Sequence, residues 1–154
     1  MSKQPDAVAF SAAYSHASAR DRTFPLCNWQ ALSAEGKVLG KTPREKDWIK
    51  NEYPFADMVA WMEGGCNVGF RLGESWAVID YDPRRDKAGD ALKRLCSDFS
   101  IDLTKCFVVE TGGGGSHVYL RVPHDTRGRE QIAAYAGIEF KHGARRYVVA
   151  LGSV

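Results

Sequence analysis

The sequence predicts an α+β protein in which antiparallel strands are joined by short turns and a few amphipathic helices pack against them. Two predicted hairpins indicate the antiparallel strands, because Gly73-Glu74-Ser75 and Gly112–Gly115 are short glycine-containing loops between apolar, strand-like runs. Two other segments have apolar residues at helical spacing, one from Pro54 to Gly64-Gly65 and one over Asp86–Phe99. No internal repeat or linker divides these elements.

The predicted elements follow one another along a single domain that covers residues 1–154. In chain order, the first half has a helix over 6–19, a strand at Phe24–Trp29, the Pro54 helix, and strands at Asn67–Leu72 and Trp76–Asp82. The second half has the helix Asp86–Phe99, strands at Phe107–Thr111 and Ser116–Val122, a short helix near Gln131–Tyr135, and strands at Gly137–Lys141 and Arg146–Ala150. No closing segment follows the last strand. The sequence therefore suggests a domain cut from the N-terminal part of a longer protein.

The composition is that of an ordinary globular domain. Of the 154 residues 44% are apolar and 26% are charged, and the formal net charge is only +2. A nucleic acid would therefore have to bind a local basic patch. No apolar run approaches the roughly 20 residues that cross a bilayer, and the N-terminus lacks a signal-peptide pattern, so we expect a cytoplasmic protein with no membrane partner. The four cysteines are scattered among apolar residues, which favours reduced core thiols over a zinc site.

Two aspartates at the end of an apolar strand are the first candidates for chemistry. Residues i and i+2 of a strand point to the same face, roughly 7 Å apart, so Trp76–Asp82 presents Asp80 and Asp82 together. Two ionised carboxylates there repel each other, and a divalent cation removes that cost. The alternative is a polar strand end with two solvated aspartates. Glu139, on the alternating strand Gly137–Lys141, is a third candidate, although such a residue commonly faces solvent.

A glycine-rich turn and the residues after it are the second candidate site. Gly112–Gly115 exposes backbone N–H groups and lets a phosphate approach closely. His117 could then donate hydrogen bonds to a triphosphate, with Lys41 or Arg145 adding positive charge. Three carboxylates can hold two Mg²⁺ or Mn²⁺ ions, which stabilise the attacking and leaving oxygens in phosphoryl transfer. The alternatives are a structural strand histidine and a solvated loop lysine.

In their order along the chain, the motifs resemble those of a known family. They are Asn67-Val-Gly-Phe, WAVIDYD, ETGGGGSHVYLR and GIEFKHGARRYVVALGS, and the match covers about residues 24–153. Together they resemble the bifunctional DNA primase–polymerase domain of the archaeo-eukaryotic primase superfamily. The resemblance implies an antiparallel sheet module related to RNA-recognition folds, packed with a smaller α/β module, with the active site between them.

The resemblance also implies roles for the matched residues. Asp80, Asp82 and Glu139 match the catalytic metal ligands of a two-metal site for Mg²⁺ or Mn²⁺, with glutamate where the family often has aspartate. His117 joins them as a catalytic residue that contacts the phosphates of the incoming nucleotide. The predicted nucleotide-binding residues are Ser116, His117, Lys41, Gly115 and Arg145.

Members of the family extend or initiate DNA and RNA strands from nucleoside triphosphates, commonly for plasmids and phages and fused to a helicase. The resemblance therefore implies a template-dependent nucleotidyltransferase that transfers nucleotides from dNTPs or NTPs to a 3′-hydroxyl. Its expected partners are nucleoside triphosphates, a single-stranded or primed DNA template, and a helicase domain or protein, in the cytoplasm of a bacterial or phage-infected cell.

The sequence also departs from the family pattern and leaves other functions open. Arg145-Arg146 stands where the family usually has Gly-Gly, and Leu151-Gly152-Ser153 replaces Pro-Pro-Ser. The alternative function is a non-catalytic, primase-like module that binds nucleotide or DNA for replication initiation. Polymerase-beta-type transferases place the Gly-Ser turn before the paired aspartates, and rolling-circle nucleases need two histidines flanking one residue, so neither class fits the motif order. Tyr81 and Tyr119 are candidates for selecting the sugar.

Overall fold

The computed structural model describes residues 4–126 and 131–153. Its helices and strands are α1 Ala7–Tyr14, α2 Ala17–Arg20, β1 Thr23–Asn28, α3 Phe55–Glu63, β2 Cys66–Tyr81, α4 Ala91–Asp98, β3 Phe107–Glu110, β4 Ser116–Arg121 and β5 Ile138–Val149, with 3₁₀ turns at Pro83–Arg85 and Leu103–Lys105. The pairs β1–β2, β2–β4 and β3–β4 are antiparallel, which confirms the predicted α+β class. Among the helices described, none has the length and apolar character needed to cross a membrane.

The chain divides into two compact units. One comprises Met1–Arg71 together with Tyr147–Val154, and the other comprises Leu72–Arg146. β2 and β5 therefore contribute residues to both units. The assignment of residues 1–154 to a single domain of a longer protein stays a prediction.

In the first unit, an antiparallel ladder packs with helices α1 and α3 around an aromatic core. β1 pairs with the first part of β2, from Thr23 opposite Phe70 to Asn28 opposite Cys66. α1 and α3 contribute apolar side chains beside this ladder, and burying them supplies most of the stabilisation that helices of this length need. The buried side chains of these helices are Phe10, Tyr14, Met58 and Met62, and the ladder adds Phe24 and Phe70.

In the second unit the strand order is β2–β4–β3. Trp76–Tyr81 pairs with Ser116–Arg121, which places Asp80 opposite His117. β4 pairs in turn with β3, so Gly112–Gly115 does close a hairpin, as predicted. Because side chains alternate between the two faces of a sheet, one face packs on α4 and the other carries Asp80 and His117. The packed face and its partners form a core of Ile79, Ala91, Leu95, Val118, Tyr135 and Ile138.

The predicted hairpin at Gly73-Glu74-Ser75 is wrong, because β2 runs without interruption from Cys66 to Tyr81. The residues before Gly73 pair with β1, and those after it pair with β4. Each half therefore has its own partner strand. Gly73 has φ +59°, so glycine's freedom at positive φ is used inside a continuous strand and not in a turn.

Several other predicted elements differ in their bounds. The helix predicted from Asp86 begins only at Ala91, because Gly89 at φ +71° interrupts the helical backbone before it. The helix predicted over 6–19 is divided into α1 and α2, and the two strands predicted near the C-terminus are one strand, β5. Residues 131–137 form a bridge and turns, not the predicted helix, and residues 127–130 lie outside the described residues.

The four cysteines are free thiols. Cys96 on α4 is buried, whereas the other three are partly exposed, so the prediction of core thiols is correct for Cys96 alone. Burial raises the pKa of the Cys66 and Cys96 thiols, which keeps both protonated at neutral pH.

Candidate active site

The carboxylate of Asp80 is held by side chains from two other strands. Its Oδ1 lies 3.4 Å from Nε2 of His117, which faces it across the β2–β4 ladder. Its Oδ2 lies 2.6 Å from Nζ of Lys141 on β5. The side chains of Asp80 and Lys141 are each only 24% exposed. Their ion pair is therefore less screened by solvent than a pair at the surface.

Lys141 connects Asp80 to Glu139. Glu139 and Lys141 are two residues apart on β5, so they share a face of the strand. Nζ of Lys141 lies 3.9 Å from Oε2 of Glu139, and Oε1 of Glu139 accepts a hydrogen bond of 2.8 Å from Nη1 of Arg85. Two of the three predicted ligands, Asp80 and Glu139, thus converge on one ammonium group.

Asp82 follows the end of β2 and is paired with Arg84. Nε and Nη2 of Arg84 donate to Oδ1 and Oδ2 of Asp82 at 2.9 and 3.0 Å, the two-bond geometry that a guanidinium offers a carboxylate. The backbone N–H of Asp82 donates to the carbonyl of Gly137 at 2.8 Å. This bond places Asp82 next to the start of the strand that carries Glu139.

Asp80 and Asp82 are both ionised at neutral pH. Burial acts to raise the pKa of Asp80, but the hydrogen bonds and charges of His117 and Lys141 outweigh it and hold that pKa well below its usual range. Hydrogen bonding by Arg84 is the main cause of the lowered pKa of Asp82. Neither aspartate therefore has to lose a proton before it can bind a cation.

His117 and Ser116 point to opposite faces of β4. His117 shares the face of Asp80 and is only 8% exposed, with its Nδ1 buried and no hydrogen-bond partner for that atom among the described residues. Ser116 lies opposite Tyr81 in the register, on the face that packs towards α4. The two predicted phosphate contacts are thus adjacent in sequence, and only His117 touches a predicted metal ligand.

Two glycines pack directly against the backbone around Asp80 and Asp82. A Cβ at Gly115 would overlap the carbonyl oxygen of Tyr81, between the two aspartates. A Cβ at Gly137 would overlap the carbonyl oxygen of Asp82, and Gly137 also has φ +76°. The N–H of Gly115 donates to Oγ1 of Thr111 at 3.1 Å, so this predicted phosphate-binding amide is used inside the turn.

The two remaining predicted nucleotide-binding residues lie in different units. Arg145 is exposed on β5 in the second unit. Lys41 is exposed on a loop of the first unit, where its carbonyl accepts a hydrogen bond of 2.8 Å from the hydroxyl of Tyr147. Both assignments stay predictions.

The two tyrosines considered for sugar selection have structural contacts. The hydroxyl of Tyr81 donates to Oδ2 of Asp86 at 3.0 Å. Tyr119 is 4% exposed and packs its ring against Trp76 and Phe107. Selection of the sugar by either residue stays a prediction.

Sequence reasoning missed the cations of the site. Lys141, Arg84 and Arg85 each pair with one or more of the three carboxylates. The signal for the arginines was their position directly after Asp82 and Pro83. The signal for Lys141 was its i+2 spacing from Glu139 on an alternating strand.

The donor chemistry of the three carboxylates fits a divalent metal ion, because Mg²⁺ and Mn²⁺ prefer carboxylate oxygens. Asp80, Asp82 and Glu139 are the residues that would hold it. Over residues 4–126 and 131–153, no three His, Cys, Asp or Glu side chains are arranged as a ready-made metal cluster. Each carboxylate is paired with a cation, so three negative groups face three positive ones.

The second unit thus combines an antiparallel sheet, two aspartates at a strand end and a glycine-rich turn packed against them, a combination that suits phosphoryl transfer with divalent ions. The family model described as "Bifunctional DNA primase/polymerase, N-terminal" matches residues 15–154, and the chain belongs to this family. The resemblance drawn from the motifs is thereby confirmed. No sequence among the curated proteins matches the chain.

Family membership supports a DNA primase/polymerase function in general terms. At the level of the family it implies nucleotidyltransferase activity with nucleotide and DNA substrates, and the family generally uses divalent metals. The expected position of the active site between two modules stays a prediction.

Proposed function

We propose that this chain is a template-dependent DNA primase/polymerase that transfers nucleotides from (d)NTPs to a 3′-hydroxyl by two-metal phosphoryl transfer, in replication of the plasmid or phage type. The observation that carries the proposal is the convergence of Asp80 and Glu139 on Lys141, with Asp82 two residues after Asp80. Family membership supplies the class of reaction, and these carboxylates supply suitable metal ligands.

In the proposed reaction, Asp80, Asp82 and Glu139 would hold two Mg²⁺ or Mn²⁺ ions. When bound, divalent ions lower the pKa of the attacking hydroxyl and neutralise charge on the leaving pyrophosphate. The lowered pKa values of Asp80 and Asp82 keep both ligands charged. His117, whose Nε2 lies 3.4 Å from Oδ1 of Asp80, would help to fix the orientation of that carboxylate.

The triphosphate is proposed to bind among the cations and the glycine turn around the carboxylates. Arg84 supports this, because its side chain is 74% exposed and its guanidinium lies beside Gly113, 3.6 Å from where a Cβ would stand. A guanidinium can bind a phosphate through two hydrogen bonds. The other proposed nucleotide contacts are Ser116, His117, Gly115, Arg145 and Lys41.

The proposed macromolecular partner is a single-stranded or primed DNA template. Because the formal net charge is only +2, the template is expected to bind a local cluster of cations. We also propose a helicase domain or helicase protein as a partner in replication, on the resemblance to the family alone.

A strand-synthesis assay tests this function. Labelled dNTPs or rNTPs are supplied with a single-stranded template, with and without primer, in Mg²⁺ and in Mn²⁺. We expect synthesis by the wild type and none above background by the double variant Asp80→Asn plus Asp82→Asn. Asp90→Asn is the matched control, because Asp90 forms an exposed ion pair with Arg94 on α4 and should retain activity.

Circular dichroism establishes that each variant is folded. Full synthesis by a folded double variant would contradict the assignment of the aspartates. Nucleotide binding by the wild type without synthesis under any condition would instead favour the non-catalytic module that binds nucleotide or DNA.

A further inference from the structure

We propose that Lys141 holds Asp80 and Glu139 together when no divalent ion is bound, and that it competes with the ion for these carboxylates. This inference rests on the proposed function, because it takes Asp80 and Glu139 as metal ligands. Lys141 is thus a positioning residue that sets the affinity of the site for metal.

The contacts of Lys141 support this role. Its Nζ lies 2.6 Å from Oδ2 of Asp80 and 3.9 Å from Oε2 of Glu139. Oδ1 of Asp80 already faces His117, so both oxygens of this carboxylate have a partner. A divalent ion that binds Oδ2 of Asp80 must share this oxygen with the ammonium group or displace it.

The exposure of the three cations distinguishes Lys141 from the two arginines. The side chains of Arg84 and Arg85 are 74% and 53% exposed, compared with 24% for Lys141. Ion pairs between exposed groups are screened by water and contribute little. The Lys141 ammonium group lies in a more enclosed environment, where its attraction to Asp80 is stronger and a competing cation has more to overcome.

Charge also explains why a lysine suits this position. Asp80 and Glu139 would repel each other without a cation between them, and a single positive charge reduces that repulsion. The flexible stem of lysine lets Nζ move aside when an ion with two positive charges arrives. A neutral side chain of similar length would neither reduce the repulsion nor compete with the ion.

Titration of the full chain with Mn²⁺, followed by electron paramagnetic resonance of the free ion, tests the proposal. We expect Lys141→Met to lower the Kd for Mn²⁺ by roughly tenfold, the scale of one charge-assisted hydrogen bond that no longer has to be displaced. Lys141→Arg should stay near wild type. Lys105→Met is the matched control, because Lys105 pairs with Asp102 at the surface of the same unit.

Thermal unfolding gives a second readout that does not depend on activity. Without metal, Lys141→Met should melt at a lower temperature than wild type. Saturating Mn²⁺ should raise the melting temperature of Lys141→Met by more than it raises that of wild type. If Lys141→Met does not fold, Lys141→Gln replaces it in both measurements.

The outcomes separate this proposal from the proposed function. If wild type and Lys141→Met bind Mn²⁺ equally and Asp80→Asn does not bind it, the role of Lys141 is overturned. The assignment of the carboxylates as metal ligands would then still stand. Weaker binding by Lys141→Met would also overturn the role of Lys141. Absence of Mn²⁺ binding in the folded wild type would overturn the proposed metal site itself, and the role of Lys141 with it.

Discussion

Replacing Gly115 by alanine tests whether the glycine turn positions the two aspartates through backbone packing. The added Cβ would overlap the carbonyl oxygen of Tyr81 and lie 3.1 Å from Oγ1 of Thr111. The carbonyl belongs to the backbone, so no change of side-chain rotamer relieves the overlap. Overpacking of this kind costs roughly 1–3 kcal/mol in stability. If the end of β2 moves by about 1 Å, the aspartates move with it, and the rate is expected to fall on the order of 100-fold.

Gly112 provides the matched control in the same turn. A Cβ there meets no atom within 4 Å, and Gly112 is not among the glycines with positive φ. Gly112→Ala is therefore expected to leave stability equal or slightly higher, and it serves as the stability control for Gly115→Ala. Urea unfolding and primer extension, measured side by side, compare the two variants. Equal stability and equal activity of Gly115→Ala and Gly112→Ala would refute the packing argument.

Two further predictions concern the packing of α4. Oδ2 of Asp86 accepts hydrogen bonds from the N–H of Ala91 at 2.8 Å and from the hydroxyl of Tyr81, and the bond from Ala91 is the main cause of its lowered pKa. Because the pKa of Asp86 is lowered in the folded protein, its ionised carboxylate stabilises the fold above the unfolded-state pKa of about 3.9, and this stabilisation is lost as the pH falls through the folded-state pKa. Between about pH 6 and pH 2, the melting temperature of Asp86→Asn should therefore fall by less than that of wild type. Leu95→Ala, at a side chain 4% exposed in the core, should cost roughly 2–5 kcal/mol in urea unfolding, whereas the exposed Lys93→Ala should cost little. An acid response of Asp86→Asn that equals wild type, or a cost at Leu95 that equals the cost at Lys93, would contradict these assignments.

The two glycine turns show where local sequence is sufficient to predict structure. At Gly112–Gly115 the flanking strands pair with each other, so turn composition and strand pattern together predict the hairpin correctly. At Gly73 the same local pattern occurs, but the flanking residues pair with β1 and β4, which are distant in the sequence. Local sequence carries no information about these partners, and long-range pairing decides between a turn and a glycine inside a strand.

The site shows the same division between local and long-range information. The i, i+2 spacing of Asp80 and Asp82 places them at one strand end, as the sequence predicts. The contact between Asp80 and Lys141 joins residues 61 positions apart and requires β5 to lie beside β2. The helix prediction from Asp86 failed for a local reason, since its carboxylate accepts a hydrogen bond from the N–H of Ala91 across a turn that Gly89 makes possible.

The balance of charge at the site implies an order in which its ligands become available. The guanidinium groups of Arg84 and Arg85 are the more exposed cations, so their pairs with Asp82 and Glu139 are screened and readily exchanged for another partner. The ammonium group of Lys141 is more enclosed than the two guanidinium groups, and it contacts Oδ2 of Asp80. If Asp82 and Glu139 hold a divalent ion as proposed, an ion that replaces the two arginines would gain ligands while Lys141 stays on Asp80, and Nζ would have to give way before the ion could bind Oδ2 of Asp80.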